Sequence, residues 1–265
     1  MPRKKKRKTI VYEDLLQDDF AGTHIRQKKV DQNFPYVRTG WIWRVCSWLL
    51  YYFVAIPIVF VISKLYLGLT FENRKALRAL SDSGYFLYCN HTHVLDVFVA
   101  PLLAFPKRVY TVAGADAVSI PGLQHLVLLL GGLPIPTERS GLLVYKEAVF
   151  RRARENSCIA IFPEAHIWPY YTQIRPFGTA SFTYPAQFDA PVVAATVTYH
   201  RRRGLFRFCK RPGMRVYVSD PIYGEAGQPL GARKKFLRDQ VYEHMCKTAA
   251  ECENMEYIRY VPAEK

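Results

Sequence analysis

His91 and Asp96 stand five positions apart in the stretch Asn90-His91-Thr92-His93-Val94-Leu95-Asp96. In a continuous helix that spacing turns the two side chains apart by about 140°. If the histidine lies in a turn and the aspartate in the first helical turn after it, the carboxylate can fold back onto the imidazole. It then keeps one ring nitrogen protonated and leaves the other free to accept a proton. Such a pair is a general base for a hydroxyl or a thiol. The same residues also suit a plain helix start, with Asn90 or Thr92 as cap and Asp96 favoured by the helix dipole.

The flanking sequence supplies the elements that must hold this pair. Tyr85-Phe86-Leu87-Tyr88-Cys89 reads as a buried strand, and Val94 to Phe105 as a helix that stops before Pro106. His91 and Asp96 therefore fall at the carboxyl end of a strand, the edge where open α/β sheets place their chemistry. Cys158 to Phe162 is a second apolar strand and runs into Pro163 and Glu164, so Glu164 also stands at a strand end. Arg139 follows a loop rich in glycine and proline, Gly131 to Pro136. A guanidinium there can grip a phosphate with a bidentate fork, or it can be a surface arginine beside Glu138. Arg108 to Ala113, Val192 to Tyr199 and Arg215 to Ser219 read as further strands. Leu123 to Leu130, Gly141 to Asn156 and Leu230 to Glu253 read as helices. The alternation indicates an α/β domain.

Four blocks in order resemble the glycerophospholipid acyltransferase family, whose type members are 1-acyl-sn-glycerol-3-phosphate acyltransferases. Asn90-His91-x4-Asp96 matches the family's first block in full, and Phe162-Pro163-Glu164 matches the start of its Phe-Pro-Glu-Gly-Thr-Arg block. Arg139 falls where the second block keeps an arginine thought to bind the acceptor's phosphate, and Ala190-Pro191-Val192-Val193 matches the fourth loosely. The resemblance covers Tyr85 to His200 and implies a mixed sheet flanked by helices. It implies O-acyl transfer from acyl-CoA or acyl carrier protein to a lysophospholipid hydroxyl, with 1-acylglycerol-3-phosphate as the leading acceptor and no metal or bound cofactor. His91 and Asp96 would be catalytic, and Arg139, Phe162, Pro163, Glu164 and Arg175 would contact substrate. The family's arginine three residues past the glutamate is here Ile167. Arg175, at the far end of the same loop, is expected to reach back and replace it; the other outcome is an acceptor that is not a phosphomonoester.

The formal net charge of +15 over 265 residues calls for an anionic partner: nucleic acid, a membrane surface or phosphorylated substrates. Charge alone favours a basic binding protein without catalysis. Such a protein gives no reason for both motifs to stand at strand ends, so no nucleic-acid partner is expected. His91, His93 and Asp96 miss the metallo-hydrolase pattern His-x-His-x-Asp-His by one residue and its last histidine. The six cysteines form no C-x-x-C pair and read as reduced thiols.

The amino-terminal third divides in two. Residues 1–40 read as a basic, flexible tail, opened by six consecutive basic residues from Arg3 to Lys8. Residues 41–70 read as a membrane-anchoring helical segment. Val45 to Ser63 carries no charge, and Trp41, Trp43, Trp48, Tyr51, Tyr52 and Tyr66 crowd its ends. A helix over those residues measures about 28 Å, close to a hydrocarbon core of about 30 Å. A single span would set the basic tail and the catalytic domain, residues 71–265, on opposite sides. A helix broken at Pro57 and returning through Leu65 to Leu69 is therefore expected, with the protein on the cytoplasmic face; a true span and a buried core helix are the alternatives.

Overall fold

The computed structural model describes residues 8–20 and 26–263. The basic residues 3–7 lie outside the described residues. In chain order the elements are β1 (Lys8–Tyr12), the long helix α1 (Trp41–Leu67), β2 (Thr70–Glu72), β3 (Tyr85–Cys89), α2 (Val99–Ala104), β4 (Val109–Ala113), α3 (Gln124–Leu129) and β5 (Gly132–Pro134). They continue with α4 (Leu142–Arg154), β6 (Cys158–Ile161), α5 (Thr183–Phe188), β7 (Val192–His200), β8 (Gly213–Val218), α6 (Leu230–Glu251) and β9 (Ile258–Pro262).

Seven strands form one mixed sheet in the order β2-β8-β7-β3-β6-β4-β5. β3 lies at its centre, parallel to β6 on one side and β7 on the other, while β8 runs antiparallel to β7. Every residue of β3, β6 and β7 is buried. Alternate side chains serve the two faces: Phe86, Tyr88, Ile159 and Ile161 meet α4 and α6, whereas Tyr85, Leu87, Cys89 and Cys158 meet α2 and one stripe of α1. A sheet covered on both faces needs apolar residues at consecutive positions, and so these strands read as unbroken apolar runs.

The amino-terminal third departs from expectation in two ways. Residues 26–40 are not a free tail. Val30, Phe34 and Tyr36 are buried in the core, Tyr36 donates its hydroxyl to the Pro134 carbonyl at 2.8 Å, and the Thr137 amide donates to the Val30 carbonyl at 3.0 Å. β1 pairs in parallel with β9, which ties residues 8–12 to 258–262. Apolar burial at these scattered positions outweighs the polar character of the stretch around them.

The anchor helix is unbroken, with a mean hydropathy of 2.3 over its most apolar window. Its 27 residues run about 40 Å. A wide π turn at Leu50–Ala55 ends two residues before Pro57. That turn relieves the clash a proline makes with the preceding turn of an α-helix, so the helix does not stop there. It ends instead at Gly68, in the left-handed conformation that closes many helices. α1 is long and apolar enough to cross a membrane, yet it does not separate two compartments of this chain. Residues before it and after it belong to the same core. One stripe docks on the domain along its length: Ser47 donates to the Leu129 carbonyl, the Val109 amide donates to the Tyr51 hydroxyl, and Ser63 and Leu67 are buried. The opposite face leaves Trp48, Phe53, Ile58, Phe60 and Leu65 exposed. An apolar helix docked along one stripe offers the rest of its apolar surface to lipid.

Candidate active site

β3 delivers the site by ending early. After Cys89 the backbone leaves the sheet, and the Asn90 side chain takes over its ladder, donating Nδ2 to the Val197 carbonyl at 3.0 Å and accepting the Val197 amide at 2.7 Å. The chain can therefore turn without stranding the backbone groups of β7. Asp96, fully buried, closes the turn. Its Oδ2 accepts the Thr92 amide at 2.6 Å and the His93 amide at 2.7 Å. Those bonds keep the carboxylate fixed and satisfy one of its oxygens.

The same oxygen lies 3.5 Å from His91 Nδ1. This is a charge contact rather than a formed hydrogen bond, and Nδ1 has no other partner among the described residues. Catalytic contacts commonly stand long before substrate arrives. The imidazole stacks on Phe162 at 4.3 Å between centroids, which fixes its plane. Nε2 has no hydrogen-bond partner among the described residues and is not among the sealed polar atoms, so it is the ring's open atom.

Glu164 sits directly behind this histidine. Its Oε2 accepts the His91 amide at 3.1 Å and its Oε1 accepts the Arg175 amide at 3.0 Å. Burial raises its pKa, opposed first by the Arg175 charge. Arg175 is equally buried. It stands 3.5 Å from Glu164 Oε2 and donates to the carbonyls of Glu164, His166 and Leu15, with its guanidinium over the Trp168 ring. Burial lowers its pKa, opposed by Glu164. A guanidinium enclosed in this way is not presented to a headgroup, which corrects the expectation that it replaces the missing phosphate contact. Ile167 is half-buried, and its carbonyl accepts the Phe20 amide at 3.4 Å.

Arg139 is the opposite case. It is exposed and unpaired among the described residues, since Lys29 takes the neighbouring Glu138 at 3.1 Å. It follows β5, three ladder steps from β3 on the same carboxyl edge, or roughly 14 Å across. Pro163 is half-buried between Phe162 and Glu164 and shapes the turn. His93 faces elsewhere. Its Nδ1 accepts the Leu95 amide at 3.0 Å, its ring lies edge-on to Tyr170 and Tyr66, and burial lowers its pKa.

A strap that the sequence hardly signals crosses the histidine turn. Trp168 is fully buried, and its amide donates to the His91 carbonyl at 3.2 Å. Its indole donates to the Asp18 carbonyl at 2.7 Å and packs against Tyr12, Phe20 and Tyr260. Both ends of the chain thus clamp the loop that follows Glu164. Tyr199, from β7, donates its hydroxyl to Thr92 Oγ1 at 2.8 Å and braces the histidine turn from the other side. The aromatic run Trp168, Tyr170, Tyr171 was the one local signal, and its partners lie some 150 and 90 residues away in sequence.

Residues 68–198 match the family model for acyltransferases. The chain carries an acyltransferase domain. The fold is similar to that in the crystal structure of the 1-acyl-sn-glycerophosphate (LPA) acyltransferase PlsC from Thermotoga maritima, with a TM-score of 0.54. That match covers 83% of this chain and 92% of the other, at 14% identity. No curated protein matches the sequence. The acyltransferase domain thus spans α1's end to β7 and contains His91, Asp96 and Glu164.

Proposed function

We propose that this acyltransferase moves a fatty acyl group from acyl-CoA or acyl carrier protein to a hydroxyl of a lysophospholipid at the cytoplasmic face of a membrane. The leading acceptor is 1-acylglycerol-3-phosphate. The observation that carries the mechanism is the imidazole of His91, held by Phe162 and a buried carboxylate on its Nδ1 side, with Nε2 open.

In this reading the acceptor hydroxyl gives its proton to His91 Nε2 as its oxygen attacks the thioester carbonyl. Asp96 stabilises the imidazolium that forms. The tetrahedral intermediate then collapses, the C–S bond breaks, and the leaving thiolate takes the proton from the imidazolium. General-base catalysis of this kind contributes about 10²–10⁴-fold, and positioning supplies much of the rest. Arg139 holds the acceptor's phosphate. Glu164 acts through the backbone of His91 rather than on the substrate, and no metal or bound cofactor enters a step. Replacement of His91 by alanine, followed by release of free thiol with a lysophospholipid acceptor, tests the reading.

Arg175 favours a second reading of the acceptor alone. With that guanidinium buried, Arg139 is the one site arginine left for a phosphate, which suits a zwitterionic or neutral lysolipid. Rates on lysophosphatidic acid and lysophosphatidylcholine, measured side by side, separate the two.

A further inference from the structure

The amino edge of the sheet, opposite His91, carries a basic groove that includes none of the residues around His91. A cavity of about 710 Å³ opens there, lined by Tyr85 at the start of β3, by Ser157 just before β6 and by Arg108 just before β4. Its cations are Arg74, Lys75, Arg78, Lys107 and Arg108. An adjoining cavity of about 530 Å³ shares Tyr52, Arg108 and Glu155 and adds Arg38, Arg44, Arg151 and Arg152. Glu155 is the one carboxylate lining either, and Arg151 and Arg152 already hold it at 3.1 and 2.7 Å.

Among the described residues the remaining cations form no ion pair, although Asp82 stands near Lys107. Arg74 donates to the carbonyls of Leu103 and Phe105, Lys107 to those of Ser81, Ser83 and Asn156, and Arg108 to Ser47 Oγ and the Leu129 carbonyl. Such bonds orient the groups without pairing their charges. Arg38 Nε and Arg152 Nε are buried without a partner. Lys75 and Arg78 are exposed and unpaired among the described residues. Along one side the groove is walled by Trp43, Trp48 and Tyr52 of α1. It therefore opens beside the exposed apolar face of that helix, next to Phe53 and Phe105.

We propose that this groove binds the phosphate-bearing headgroup of an anionic phospholipid, whose acyl chains follow the exposed face of α1. Charge complementarity commits it to an anion, and the contiguous apolar helix commits it to a lipid rather than a soluble phosphate. The groove lies apart from His91, because the length of β3, about 17 Å, stands between them. It would seat the enzyme on anionic bilayers in one orientation.

The test uses the full chain and flotation with phosphatidylcholine vesicles, with and without phosphatidylglycerol. In the variant Arg44→Gln, Lys75→Gln, Arg78→Gln, affinity for the anionic vesicles should fall at least about tenfold. Affinity for pure phosphatidylcholine should hold, and thermal melting confirms the fold. A control, Lys234→Gln, Lys235→Gln, Lys247→Gln, removes the same charge from α6. Equal loss in the control means that net charge alone binds the membrane, and overturns the site. Unchanged binding in the groove variant overturns it too; if the KM for acyl-CoA rises instead, the groove holds the donor's phosphates. Acyl transfer to detergent-dispersed lysolipid, measured in parallel, reports on the catalytic reading separately.

Discussion

The Glu164 carboxylate accepts the backbone amide of His91, 73 residues away in sequence, and grips the Arg175 amide with its other oxygen. Glutamate and arginine therefore form a buried frame for the histidine turn. Arg175→Ala would leave Glu164 charged and alone in the interior, at a cost of about 3–5 kcal/mol. The expected outcome is a large fall in thermal stability, with the KM for acceptor little changed in the protein that still folds. Arg139→Ala should do the reverse. Stability should hold, and loss of one charge-assisted contact, about 1.5–3 kcal/mol, should raise the KM for lysophosphatidic acid about ten- to a hundred-fold. A rise in KM from Arg175→Ala without destabilisation would contradict this division of roles.

His93 supplies a pH dependence. Burial depresses its pKa, with the Arg211 charge adding to the effect and Asp96 opposing it. The unfolded chain then binds the extra proton first, so this histidine's contribution to stability is complete above an unfolded pKa of about 6.5 and is lost as pH falls through the folded value. His93→Asn keeps an acceptor for the Leu95 amide and should flatten the stability profile below pH 7. It should not flatten it wholly, because burial lowers His200 and His244 in the same direction. Denaturant titrations across pH give the slopes, and acyl transfer by the variant should stay near wild type.

Ala165 stands where the resembling family has glycine, and its φ is +65°. The left-handed region costs a residue with a Cβ about 1–2 kcal/mol. Ala165→Gly should therefore stabilise the protein by about 1 kcal/mol and raise Tm by about 2–4 °C. A lower Tm would show that the turn does not need that conformation.

Membrane topology follows from the pairing of β1 with β9. With both chain ends joined, a protease outside sealed vesicles should reach residues near the amino terminus and in α6 from the same side. Digestion from opposite sides would mean that α1 crosses the bilayer.

The central strands and the placing of both motifs at strand ends were legible in the sequence, because burial on two faces writes β3, β6 and β7 as apolar runs, the first two leading into His91 and Glu164. The bounds of α4 and α6 followed from their apolar spacing in the same way. Other features were hidden for physical reasons. Lys8–Tyr12 is short and charged at one end, and its partner lies about 250 residues away. Val30, Phe34 and Tyr36 are isolated among polar residues. Pro57 marked a break that the π turn before it absorbs. Arg175 looked like a free cation because sequence does not show which guanidinium is enclosed by carbonyls.

The central claim is that His91 is the base. The most direct measurement is the rate of thiol release from acyl-CoA with lysophosphatidic acid in mixed micelles, for wild type and His91→Ala at equal thermal stability. Dependence of the wild-type rate on acceptor, and a fall of at least about 10²-fold in the variant, are predicted. Acceptor-dependent release that survives in His91→Ala would contradict the account.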